Sequence, residues 1–175
     1  GLGVMYGMGY HKMARELDME PQEAKSMLQD FHGKVPFMKG MLEAVMNRAN
    51  TKGVIRTLLG RKCRFDLWEP TSWGVHKALP LNQAQTEYGM AIKRAHTYKA
   101  LNRLIQGSAA DQTKKAMVDV YEQLGIIPLI QVHDELDCSI KNEKQGNEVK
   151  EVMENCIKLE VPSKVDVEVG ESWGK

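Results

Sequence analysis

Cysteine is scarce in this chain of 175 residues, and the three present, Cys63, Cys138 and Cys156, lie far apart with no CxxC pair. An odd, scattered set argues against both a disulfide framework and a zinc site, and fits a reducing, cytoplasmic setting. Long apolar runs are missing as well. No stretch approaches the ~18 residues of a membrane span and no signal peptide opens the chain, so neither spanning nor secretion is expected. A surplus of one charge sign is also absent, with 24 Lys and Arg against 23 Asp and Glu. That balance gives no support to a globally basic nucleic-acid binder, but leaves room for a basic strip inside a neutral total. There is no initiator Met, and GLGVMYGMGY carries no N-cap, so it reads as the end of an element that begins upstream. What is there, 42% apolar and 27% charged residues, describes a chain able to bury a core as one domain or two small lobes.

The spacing of Met13, Ala14, Leu17, Ala24, Met27 and Leu28 predicts two short helices between His11 and Leu28, with Pro21 suited to the first turn of the second. A third is expected over Pro36–Asn50. TKGVIRTLLGRKCRFDL then alternates like a strand pair around Gly60. The turn-rich LWEPTSWG marks a lobe boundary, near residue 75. Helical periodicity continues from Asn82 to Leu124, with Gly89 and Gly107 inside it. After Leu124-Gly125 a hairpin, a helix over Glu143–Leu159 and a strand at VDVEVG complete an α+β arrangement, helices packed on a small antiparallel sheet.

The hairpin carries the most pointed chemistry. In LIQVHDELDCSI, alternation places Ile130, Val132, Leu136, Cys138 and Ile140 on one face and Gln131, Asp137 and Ser139 on the other, with the turn near Asp134. No Gly or Asn-Gly eases that turn. Adjacent carboxylates there can ligate a hard cation, and Mg2+ favours one or two carboxylates plus substrate phosphates, which points to phosphoryl chemistry. A bare HDE triplet is also read as a solvated acidic turn. Asn102 and Gln106, at i and i+4, project from one helix face, with Tyr98 and Arg94 one and two turns earlier, either a surface for reading base edges or sugars or a polar stripe facing water. Gly60–Arg64, GRKCR, sets three cations beside a turn, suited to phosphate contact or to solvent. Tyr6-Gly7 offers an aromatic beside a residue without a side chain, where a base could stack, unless Tyr6 is core. Nothing supports Ser-His-Asp catalysis, since no nucleophile elbow is present.

Taken in order, four stretches resemble family A (polymerase I-like) DNA polymerases. GLGVMYGMGY is similar to the end of a fingers helix reading NFGxxYG, TLLGRKCR to TLxGRRR, LNRLIQGSAAD to NxPxQGxAAD, and QVHDEL to the palm turn motif. The closing MENCIKLEVPSKVDVEVGESW follows the family's C-terminal pattern too. The resemblance covers essentially the whole chain and implies a polymerase palm-type antiparallel sheet with packed helices, plus a helical remnant of the fingers. Residues 1–75 would be a partial fingers subdomain and residues 76–175 the C-terminal part of the palm. The implied function is template-directed addition of deoxynucleotides to a primer 3′ end, with Mg2+, or Mn2+ in its place, in a bacterial or phage-infected cell.

By position, the resemblance makes Asp134 a catalytic aspartate that binds metal, Glu135 its supporting carboxylate, and His133 and Gln131 residues lying against the primer terminus. Asn102 and Gln106 would touch template and primer in the minor groove, where acceptors are presented alike by all base pairs. Arg61 would meet the DNA backbone, and Tyr6 would stack where the templating base or incoming pair enters, with Gly7 leaving room. Leu2 stands where Phe or Tyr is common, at the site of sugar discrimination. Tyr98 stands where Arg is frequent, with Arg94 or Lys99 as substitutes. The triphosphate-gripping Arg and Lys and the strand bearing the other metal-binding aspartate precede residue 1 in the family pattern. The 175 residues alone are therefore expected to be inactive without an upstream polymerase portion, a partner alongside primer-template DNA and dNTPs. Two rivals from other classes are a non-catalytic module that binds DNA or a polymerase subunit, and a metal-dependent nuclease, which needs a second carboxylate cluster.

Overall fold

The computed structural model describes residues 8–172, which contain helices and small antiparallel sheets. Leu2, Tyr6 and Gly7 lie outside the described residues. The chain divides into two compact units, one ending at Ile105 and the other beginning at Gln106. No helix among the described residues is long and apolar enough to cross a membrane.

In the first unit, α1 (Tyr10–Leu17) and α2 (Pro21–Lys34) form a helical pair. Pro21 opens α2, where its missing N–H is no loss, and Glu23 in the first turn and Lys34 in the last suit the helix dipole. Met13, Ala14 and Ala24 are buried between the pair, with Met8, Tyr10, Met19 and Leu28 around them. Helix α3 (Pro36–Lys52) follows and ends at Gly53, whose φ of +66° suits a residue without Cβ. Strands β1 (Val54–Arg56) and β2 (Lys62–Arg64) then pair antiparallel, with Ile55 opposite Cys63. The hairpin expected around Gly60 is thus present. Ile55 points inward to join Ala49, Phe65 and Ala100 in a core flanked by Val45, Cys63 and Leu104.

Two expectations fail in this unit. Leu67–Pro70, expected as turn, is a strand, β3, at the centre of a three-stranded sheet between β4 (Leu79–Pro80) and β5 (Ile92–Arg94). The helix expected from Asn82 to Leu124 is interrupted: α4 spans Leu81–Tyr88, and α5 starts only at Ala100, after β5 and a 3₁₀ turn at Thr97–Lys99. Gly89, at φ +73°, turns the chain out of α4, and Ile92–Arg94 then satisfies its backbone against Trp68–Pro70. A tertiary partner overrides the local helical periodicity. Arg94 is consequently a strand residue and not part of the helix face that carries Asn102. Gly107 does lie within α5 (Ala100–Leu124).

In the second unit, β6 (Pro128–Val132) and β7 (Glu135–Cys138) form the expected hairpin, followed by α6 (Glu143–Asn155). Asn142 caps α6, its side chain accepting from the Gln145 N–H at 3.0 Å. Val120, Ile126 and Val149 form the core, with Leu124, Cys138, Val152 and Met153 packed on it. Helix α6 ends four residues short of the expected Leu159. VDVEVG, expected as a strand, is in no ladder among the described residues, because alternation supplies a pleated face but a strand also needs a hydrogen-bonding neighbour. The segment instead lies along α6: Val165 N–H donates to Glu154 Oε1 at 2.9 Å, and Val167 lies within ordinary van der Waals reach of Gly146. Gln112 Nε2 also donates to Ser163 Oγ at 2.9 Å.

Candidate functional site

The β6–β7 turn consists of two residues, His133 and Asp134, since Val132 pairs with Glu135 and Gln131 with Leu136. Hairpins this tight need φ > 0 at the first central residue, and His133 supplies it at +55° without being glycine. A left-handed residue with a Cβ costs about 1–2 kcal/mol. Gln131 Nε2 donates to the His133 carbonyl at 3.0 Å and braces the turn.

This loop length corrects the expected face assignment. Side chains directly opposite each other in an antiparallel pair point the same way, and a two-residue loop makes even positions on β6 face odd positions on β7. Ile130 and Val132 therefore share a face with Asp137 and Glu135, while Leu136 lies opposite Gln131. An irregularity between Pro128 and Ile130 restores parity, so that Pro128 opposes Cys138. Asp137 therefore lies on the face of Ile130 and not, as expected, with Gln131. Its Oδ2 is buried without a hydrogen-bond partner, and it joins burial, the larger cause, in pushing the neighbouring Cys138 thiol up from its ordinary range.

His133, Asp134 and Glu135 are exposed at the hairpin tip. Among the described residues, no group of three or more His, Cys, Asp or Glu side chains could hold a metal ion. Asp134 and Glu135 match the one or two carboxylates that Mg2+ takes from protein, leaving the rest of its shell to other oxygens.

The other candidates stand elsewhere. Gln106, exposed on α5, belongs to the same unit as the hairpin; Asn102 and Arg61 belong to the first unit. The Asn102 side-chain oxygen is buried with no hydrogen-bond partner among the described residues, a state that costs about 1–3 kcal/mol. Arg61 sits in the β1–β2 loop, where Thr57 N–H donates to the Arg61 carbonyl at 3.0 Å and Arg56 Nη1 to the Gly60 carbonyl at 2.9 Å. These bonds hold the loop in one shape and leave Arg61, Lys62 and Arg64 exposed. Arg94 is committed inward: it donates to the carbonyls of Phe65 (2.8 Å) and Asn50 (3.2 Å) and stacks over Trp68 at 4.5 Å. Lys99 lies 5.5 Å over the ring of exposed Tyr98.

Charge divides between the units despite the neutral total. Residues 1–105 hold 16 Lys and Arg against 9 Asp and Glu, whereas residues 106–175 hold 8 against 14. One unit is suited to a polyanion and the other to cations.

Residues 2–175 match the model of DNA polymerase family A. The chain belongs to that family. It is 41% identical over 161 residues to a DNA-directed DNA polymerase of Pseudomonas phage M6, covering 92% of this chain and 21% of that protein. It is 30% identical over 177 residues to the thermostable DNA polymerase I of Thermus aquaticus, covering 98% of this chain and 19% of that protein. Among solved structures, the POL domain of Pol1 from M. smegmatis, in complex with DNA primer-template and dNTP, is similar with a TM-score of 0.76 and 31% identity. That match covers 98% of this chain and 29% of the other. The family A chain described here thus spans about a fifth of the length of the curated relatives it matches.

Proposed function

We propose that this chain works as part of a DNA-directed DNA polymerase, extending a primer 3′ end along a template with deoxynucleoside triphosphates. The observation that carries the reading is the two-residue turn presenting Asp134 and Glu135 at the tip of β6–β7, in a chain matched to family A from residue 2 to residue 175. Two bound Mg2+ ions, or Mn2+ in their place, would stabilise the attacking and leaving oxygens of the displacement. Asp134 would hold metal, Glu135 would support it, and the strained His133 and bracing Gln131 would fix the turn against the primer terminus. Asn102 and Gln106 would check pair geometry from the minor groove, Arg61 would take a backbone phosphate, and Leu2, Tyr6 and Gly7 would line the nucleotide entry.

The remaining metal ligands would come from the polymerase portion upstream, within a bacterial or phage-infected cell. Residues 1–75 would then belong to the fingers and residues 76–175 to the palm. The test is Asp134→Ala in the polypeptide carrying this chain. Losing a metal ligand worth several kcal/mol should slow extension by about 10³-fold while primer-template binding and melting temperature hold. Near-normal extension would defeat the assignment, and DNA binding without extension by the parent protein would favour a non-catalytic binding module.

A further inference from the structure

The loop joining β3 to β4, residues 71–78, is absorbed by none of the polymerase motifs, yet it is firmly held. At its start, Thr71 N–H and Oγ1 both donate to the Ala91 carbonyl, at 2.9 and 3.1 Å. At its end, Tyr88 Oη donates to the Lys77 carbonyl at 3.1 Å, and the Tyr88 ring meets His76 edge-on at 6.1 Å. Between these anchors Gly74 lies at φ +150°, where an added Cβ would come within 2.9 Å of the His76 ring. The apex carries Trp73, whose relative exposure is 101%. A chain segment pinned at both ends while displaying a whole indole ring to solvent gains nothing from that ring for its own folding.

We infer that Trp73 is a stacking platform for single-stranded DNA, such as the template strand ahead of the duplex. This deepens the polymerase reading and rests on it. Every base has a π-face, so an exposed aromatic on a rigid loop binds single strands without regard to sequence, provided cations nearby hold the backbone. The charge is of the right kind: Lys77, in the loop itself, is exposed, and so is Lys93, on the strand beside the one that opens the loop, where it is shared with Glu69 at 3.7 Å.

The test uses the polypeptide carrying this chain, with Trp73→Ala and Trp73→Phe, and an oligothymidylate as probe. Stacking of one base corresponds to about 5- to 100-fold in affinity. Trp73→Ala should weaken oligothymidylate binding within that range, Trp73→Phe should restore most of it, and melting temperatures should match the parent. Binding should also quench indole emission in the parent but not in Trp73→Phe. Unchanged oligothymidylate affinity in Trp73→Ala would overturn the proposal and leave the loop to a protein partner, and so would a loss that tracks a lowered melting temperature. Failure of the parent to extend a primer would defeat the polymerase reading instead, while a Trp73-dependent oligothymidylate affinity could still be measured.

Discussion

Replacing Gly53 with Ala sets two costs against the fold, and they can be separated. The backbone at φ +66° becomes strained, at about 1–2 kcal/mol. The new Cβ would also lie 2.5 to 2.8 Å from the Arg94 guanidinium, closer than real contacts allow, so the guanidinium must leave. Leaving forfeits its hydrogen bond to the part-buried Phe65 carbonyl, about 1.5–3 kcal/mol for a charged donor, and its stacking on Trp68, about 0.5–1 kcal/mol. The bond to the exposed Asn50 carbonyl adds little. Gly53→Ala should therefore cost about 3–6 kcal/mol in denaturant unfolding and Arg94→Ala about 2–4 kcal/mol. In the double variant, Gly53→Ala should add only the backbone cost, giving a coupling of about 2–4 kcal/mol. If Gly53→Ala costs as much without Arg94 as with it, the guanidinium is not what occupies the space, and the reasoning fails. Because Arg94 ties the end of α3 to the residue after β2, both single variants should also weaken DNA contact through the Arg61 loop.

Two further outcomes are expected. Asn102→Leu should leave unfolding free energy unchanged or raise it by about 1 kcal/mol, since it removes a buried oxygen without a partner, yet it should reduce extension from matched and mismatched primer ends unequally; equal losses, or none, would point to a merely polar helix stripe. Hydrogen bonding to buried Asp119 is the main cause raising the Lys115 ammonium above its ordinary 10.5. A raised cation stabilises the fold fully below 10.5 and loses that contribution as pH rises through its folded value, so Lys115→Met should melt below the parent by a constant gap between about pH 6 and pH 10 that closes above it. A gap already closing between about pH 6 and 8 would assign the effect to other groups.

The legible parts of this chain are those whose signals are local. Pro21 and Pro36 mark helix starts because a residue without an N–H fits there, and Gly60 between two alternating runs marks a hairpin, so α2, α3 and the β1–β2 pair were readable. The misread parts depend on partners distant in sequence. Ile92–Arg94 is a strand only because Trp68–Pro70 lies beside it, and Leu67–Pro70 reads as turn until that pairing is known. VDVEVG fails in the reverse direction, having a strand's alternation without a neighbour's hydrogen bonds. At the candidate site, the buried oxygens of Asn102 and Asp137 were not legible, since burial depends on packing.

The hairpin shows how a single uncounted residue redirects a chemical argument. With a turn centred on Asp134, the apolar positions of both strands would share one face, and the acidic residues of β7 would point away from them. With His133 and Asp134 alone in the loop, Glu135 and Asp137 lie across from Val132 and Ile130, so carboxylates are set against an apolar strand face. That arrangement is unfavourable for folding, as is a left-handed His133, and neither is required by turn chemistry, since Gly or Asn would relieve the backbone. Both features converge on the tip where Asp134 and Glu135 stand exposed, in the unit that carries 14 acidic residues against 8 basic ones. On the proposed function, a cation held by Asp134 and Glu135 would draw its ligands from a turn whose shape the left-handed His133 and the Gln131 brace already fix.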